Sequence, residues 1–151
     1  MPAQIDIAVR DSPIDVAAES ALMQNAAAGE AGAAVCFTGA VRGGDVRAMT
    51  LEHYPGMTES ALRQIAEDAA KKWPLLAARI LHRVGRMTPG EVVVFVGVCS
   101  AHRHAAFSAC AFMTDYLKTR APFWKKEEIA GGETRWVEAR KEDETARKKW
   151  I

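Results

Sequence analysis

Apolar and polar positions alternate at the start of the chain, where Ile5, Ile7 and Val9 are interleaved with Asp6, Ala8 and Arg10. That period of two predicts a half-buried strand. Ser12-Pro13 opens a predicted helix that runs to about Gly29, with proline near its first turn and glycine at its stop. A second strand is expected over Ala33 to Val41 and a third from about Arg47 to Tyr54. The short glycine-rich link between them, Arg42-Gly43-Gly44-Asp45, predicts a hairpin. Thr58 is placed to cap a helix ending near Trp73, whose apolar stripe is Leu62, Ile65, Ala66, Ala69 and Trp73. Ala78 to Val84 reads as a strand and Thr88-Pro89-Gly90-Glu91 as a turn. Val92 to Val98 is apolar at nearly every position, the pattern of a strand buried on both faces. A helix follows from about His102 to Thr119, with Ala106, Cys110, Met113 and Leu117 on one side, and two short strands flank Gly131-Gly132. The expected architecture is α+β with a mixed, mainly antiparallel sheet. Residues 1–140 form a single catalytic domain in this reading, and 141–151 a charged C-terminal tail exposed to solvent.

Composition narrows the function classes. A chain of 151 residues suits one domain, and 49% hydrophobic with 26% charged residues is ordinary for a soluble globular protein. The net charge of +1 provides no global field for nucleic acid, so anion binding has to come from local clusters. The N-terminus lacks the basic and apolar regions of a signal peptide, and no apolar run reaches the roughly 18 residues of a membrane span. Cys36, Cys99 and Cys110 are an odd number without CxxC spacing, each in an apolar run. They are expected to be reduced, buried thiols of a cytoplasmic protein.

Candidate chemistry concentrates between Asp115 and Glu127, where Lys118, Arg120, Lys125 and Lys126 surround Pro122. Lys118 and Arg120 fall in the last turn of the predicted helix, where cations meet exposed carbonyls. The proline forces a turn that can bring Lys125 back towards Lys118. Two converging amines make an anion site or a proton-transfer pair. His102-Arg103-His104 opens the helix after the buried strand. That is either an anion site at a helix N-terminus or a cap by Ser100 or His102 beside exposed basic residues. A metal site built from His53, His82, His102 and His104 lacks ligand spacing. Cys99 near His102 suggests a nucleophile, but apolar burial raises a thiol pKa and makes it inert. Arg42 beside two glycines reads, on its own, as an exposed residue of a turn.

In order along nearly the whole chain, several strings resemble one family, the large catalytic subunit of molybdopterin synthase. They are Phe37-Thr38-Gly39-Ala40-Val41-Arg42, Leu51-Glu52-His53-Tyr54-Pro55-Gly56-Met57, His82-Arg83-Val84-Gly85 and Val94-Phe95-Val96-Gly97-Val98. Ser100-Ala101-His102-Arg103, Asp115 to Glu127 and Arg135-Trp136-Val137-Glu138-Ala139-Arg140 complete the set. The resemblance implies an α/β hammerhead-type fold and a sulfurtransferase of molybdenum cofactor biosynthesis. It implies that sulfur arrives as a C-terminal thiocarboxylate on the Gly-Gly end of a small ubiquitin-like carrier subunit. Two sulfurs pass to cyclic pyranopterin monophosphate to form the dithiolene of molybdopterin. Large subunits would form a homodimer at the centre of a heterotetramer, with no metal or cofactor at this step. Carried over by position, Lys118 and Lys125 match the family's catalytic lysines. Arg42, His102, Arg103, Lys126 and Glu127 match substrate-contacting positions, and Arg140 a further basic residue of the anion pocket. Ala40 and Val41 match substrate positions too, although the loop that follows Arg42 is shorter than in many members.

Overall fold

Pairing demand on one strand organises the molecule. A computed structural model describes residues 2–137 and 141–151, and in it β6 (Val92–Ser100) lies inside a four-stranded sheet. The order of that sheet is β1 (Gln4–Arg10), β4 (Ala77–Arg83), β6, β2 (Ala33–Ala40). The β1–β4 pair is parallel and the other two pairs are antiparallel. On one face, Val94, Val96 and Val98 pack against helices α2 (Met57–Lys72) and α3 (Arg103–Arg120) through Leu62, Ile65, Ala109 and Met113. On the other, Phe95 and Cys99 meet Ile14 and helix α1 (Val16–Ala26), whose Met23 is buried. Alternation along β6 therefore supplies both cores, which explains its lack of polar positions.

A second four-stranded sheet, entirely antiparallel, has the order β5 (Gly85–Met87), β3 (Val46–His53), β7 (Phe123–Ile129), β8 (Thr134–Val137). The hairpin expected across Gly43-Gly44 does not form, because its two strands belong to different sheets. β2 closes the free edge of β6 over eight residues, and the chain stays with it one step further: Val41 donates to the Glu91 carbonyl at 2.9 Å. The outer edge of β2 stays unpaired, and both edges of β3 are taken by β5 and β7, so the glycine turn joins two sheets rather than two paired strands. The predicted helix from Ser12 starts later, at Val16, since Asp15 accepts from the Ala18 N–H at 3.0 Å and is the true cap. Thr58 is not the cap of α2 either. Gly56 holds that place at φ 85°, and buried Thr58 donates its hydroxyl to the Tyr54 carbonyl.

Two further expectations change. Cys99 and Cys110 are buried, but Cys36 is exposed, because the outward positions of edge strand β2 have no layer over them. The last residues form helix α4 (Lys141–Lys148), followed by Trp150. The Trp150 ring meets Trp73 and Phe112 edge-on at centroid distances of 5.7 and 5.5 Å, and its N–H donates to Asp115 at 2.6 Å. The segment is thus docked on α3 by the Trp150 side chain, despite its charge. No helix among the described residues is long and apolar enough to cross a membrane.

Trp150→Ala should remove both the packing and the hydrogen bond. We expect a loss of about 2 kcal/mol of stability in urea unfolding, below the range for a fully buried tryptophan because this one is only partly enclosed.

Candidate active site

A cavity of about 390 Å³ opens where the two sheets meet the C-terminal end of α3. Three elements deliver its cations. Leu117 is buried in the main core, which fixes the rotation of α3 and sends the next residue, Lys118, to the cavity wall. Pro122 then ends the helix, with Ala121 already extended at ψ 128°, and the chain returns as β7. On β7, Phe123, Lys125 and Glu127 share the face turned to the cavity, at the period of two of a strand. Arg42, exposed just beyond β2, lines the cavity with Ala40 and Val41. Met49 and Leu51 of β3, cross-strand partners of Glu127 and Lys125, give the floor an apolar character.

The negative side chains in the lining are Glu127 and Asp143, among the described residues. Glu127 accepts from Arg135 at 3.0 Å, and Arg135 also lies 3.6 Å from Asp45. This carboxylate is therefore already engaged by a cation outside the lining, and Arg42, Lys118 and Lys125 outnumber the two carboxylates of the wall. Such a site suits a small anion delivered into a partly apolar recess.

His82, at the end of β4, also lines the cavity and is buried. Its Nδ1 lies 3.0 Å from the Arg83 carbonyl and therefore carries the proton, and its ring stacks on Phe123 at 3.9 Å. Burial is the main cause that pushes the His82 imidazole down to about 4, and the nearby charges of Lys118 and His53 push the same way. The imidazole is neutral at physiological pH. Sequence reasoning weighed His82 only as a metal ligand; the available signal was a titratable residue closing an otherwise buried strand. Asp143 was equally invisible, since its segment read as solvated tail.

Other candidates lie elsewhere. Alternation turns Lys126 to the reverse face of β7, where its ammonium sits 5.8 Å from the centre of the Trp136 ring. Trp124 also faces away, packed edge-on to Tyr54 at 4.3 Å. Arg120 bridges to Asp68 of α2 at 3.2 Å. His102 and Arg103 are exposed at the far end of α3, with His102 as N-cap and no side-chain capping bond. Ser100 is spent on the Pro74 carbonyl at 2.8 Å. At 1.5 Å per residue, the stretch from Arg103 to Lys118 spans about 22 Å, so this pair cannot reach the cavity of its own chain. Arg140 lies outside the described residues. Cys99 is fully buried, its thiol faces the Met23 carbonyl, and burial raises its pKa, which removes it as a nucleophile. No group of three or more His, Cys, Asp or Glu side chains among the described residues is placed to hold a metal ion.

Comparison with known proteins points one way. Residues 9–120 match the family model described as MoaE protein. The chain is 60% identical over 123 residues to the molybdopterin synthase catalytic subunit of Pseudomonas aeruginosa, covering 79% of this chain and 81% of that one. The solved structure of the molybdopterin biosynthesis MoaE protein from Burkholderia ambifaria is similar at a TM-score of 0.85 and 46% identity, over 97% of this chain and 98% of that one. Molybdopterin synthase from Staphylococcus aureus superposes at a TM-score of 0.76 and 30% identity, over 91% and 98%.

The buried imidazole has a consequence for stability. Its folded-state pKa is depressed from 6.5 to about 4, so the unfolded chain takes up a proton first as pH falls. The contribution is complete above about pH 6.5 and lost as pH falls towards 4, on the order of 3 kcal/mol at most. Urea unfolding at stepped pH should show this decline in the wild type, and a flatter one in His82→Phe.

Proposed function

This chain belongs to the MoaE family and is a sulfur-transferring enzyme of molybdenum cofactor biosynthesis, and we propose how its cavity does that work. Cyclic pyranopterin monophosphate occupies the cavity, with its phosphate held by Arg42 and the two lysines. The C-terminal Gly-Gly thiocarboxylate of a small carrier subunit enters beside it. Both reactants are anions, and their mutual repulsion opposes a shared site unless fixed cations offset it. Lys118 and Lys125 offset that repulsion and stand where protons must be exchanged as sulfur leaves the carrier's carbonyl and the cyclic phosphate opens. The single observation that carries this reading is that Arg42, Lys118 and Lys125, from three separate elements, line one cavity. Ala40 and Val41 shape the wall next to the pterin, and Glu127 keeps its place through Arg135.

Lys126 is assigned to the outer surface of the second sheet rather than to the substrate, in keeping with its contact to Trp136. His102 and Arg103 are assigned to the cavity of a second copy in a homodimer, because the length of α3 keeps them from their own. The free thiols fit a reducing compartment, and we place the reaction in the cytoplasm.

The test is reconstitution with a thiocarboxylated carrier and cyclic pyranopterin monophosphate, scoring molybdopterin as its oxidised fluorescent derivative. Lys118→Ala and Lys125→Ala should each lose about a hundredfold or more in turnover with folding retained. Normal turnover by either variant refutes its role. Arg42→Ala should act mainly on KM, by about tenfold. Mixing Lys118→Ala with Arg103→Ala protein should restore up to about a quarter of wild-type activity, since half the dimers then carry one intact site. No recovery after verified subunit exchange would refute the placement of Arg103.

A further inference from the structure

Arg42, Lys118 and Lys125 can only donate hydrogen bonds, which suits a phosphate and a thiocarboxylate. The pterin end of the substrate makes the opposite demand. Its aminopyrimidinone ring is uncharged and turns two adjacent donors outward, the 2-amino group and the N3–H. A carboxylate matches that pair, as it matches the fork of a guanidinium. The lining side chains that hold a nitrogen or oxygen acceptor are His82, Glu127 and Asp143. One ring nitrogen of His82 is committed to the Arg83 carbonyl, and the single nitrogen left cannot meet both donors. Glu127 is held by Arg135. Asp143 is half-buried and makes no hydrogen bond or ion pair among the described residues. Its place on the wall is set from a distance. Trp150 anchors the C-terminal segment on Phe112 and Asp115 of α3, and its backbone N–H donates to the Arg147 carbonyl at 3.0 Å, which carries the turn past the end of α4. Residues seven apart lie two turns from one another on the same side of a helix. The anchor therefore turns Asp143 towards the cavity that Lys118 lines near the end of α3. A carboxylate there works against both anionic reactants, so only the part of the substrate that is not an anion accounts for it.

We propose that Asp143 is the specificity-determining residue for the pterin: its carboxylate accepts the 2-amino and N3 hydrogens side by side, at the opposite end of the substrate from the phosphate. No covalent bond is made or broken at Asp143. With cations on the phosphate and a carboxylate on the pterin edge, the asymmetric substrate can lie only one way round, and an analogue with oxygen in place of the 2-amino group is rejected. The docked C-terminal helix is then a wall of the site. This inference rests on the proposed occupancy of the cavity by the pterin, and its test reads binding rather than turnover.

The full-length protein is titrated anaerobically with cyclic pyranopterin monophosphate, without the carrier so that no turnover intervenes. Inorganic phosphate serves as a competitor that lacks the pterin edge. Asp143→Asn replaces one acceptor by a donor and removes the charge with little change of shape. It should weaken the pterin about tenfold or more, while phosphate competes within twofold of wild type or more tightly. Wild-type affinity for the pterin in this variant overturns the proposal. An equal loss for pterin and phosphate also overturns it, because a residue that only supports the wall would affect both. Tighter binding of both overturns it as well, because a carboxylate that only opposes anions would act that way. Trp150→Ala keeps Asp143 but removes its anchor, and should weaken the pterin severalfold per folded molecule without weakening phosphate. Wild-type pterin affinity in folded Trp150→Ala overturns the anchoring through α4. A wild type that binds no pterin refutes the proposed function, and this inference with it; a defect confined to Asp143→Asn leaves that function standing and supports the role of Asp143.

Discussion

β6 can be satisfied only from four sides at once. Its nine residues are apolar nearly throughout, and both faces and both edges are covered, by α2 and α3, by α1, by β4 and by β2. A strand with no polar face must be enclosed before its backbone can be, because an uncovered edge inside a core leaves N–H and C=O groups without partners. Gly97 records how tight the enclosure is: a Cβ there would stand 2.5 Å from the Met23 sulfur and 2.9 Å from the Phe95 ring. β2 takes that edge and keeps its own outer edge unpaired, while β3 is paired on both sides by β5 and β7. The chain crosses to build the second sheet, and the gap between the sheets becomes the cavity.

The chemistry of the cavity follows from that separation. α3 is anchored along β6 by Ala109, Cys110, Met113 and Leu117, so its last turn emerges at the junction of the sheets. Pro122 prevents the helix from continuing, and the returning chain pairs with β3. Helix period on one side of the proline and strand period on the other then bring Lys118 and Lys125 to one wall, while Arg120 and Lys126 point elsewhere. Four cations close in sequence are thus divided between two cavity positions and two positions elsewhere by backbone geometry alone.

Elements whose pattern reflects burial were legible in advance. β6, the stripe of α2 and the two strands around Gly131-Gly132 all follow from residues whose environment is dictated by their neighbours in sequence. The link at Gly43-Gly44 was misleading because a glycine turn is a local preference, and both edges of β3 are taken by strands far along the chain, β5 and β7. Trp150 was missed for a similar reason. A lone tryptophan in a charged run has no periodicity to announce the Trp73 and Phe112 rings that receive it.

The sequence by itself determined the family, the α+β class, the buried central strand and the basic residues available for binding anions, because these depend on residue identity and short-range period. Only the tertiary structure decided which of those residues share a cavity. It placed Arg42 with Lys118 and Lys125, set His102 and Arg103 a helix length away, and turned Lys126 outward. It also added His82, whose neutrality arises from burial against Phe123 and from surrounding cations. The physical reason is range: helix and strand periods act over a few residues, whereas the field and solvent exposure that set a site's chemistry are made by segments far apart in the chain.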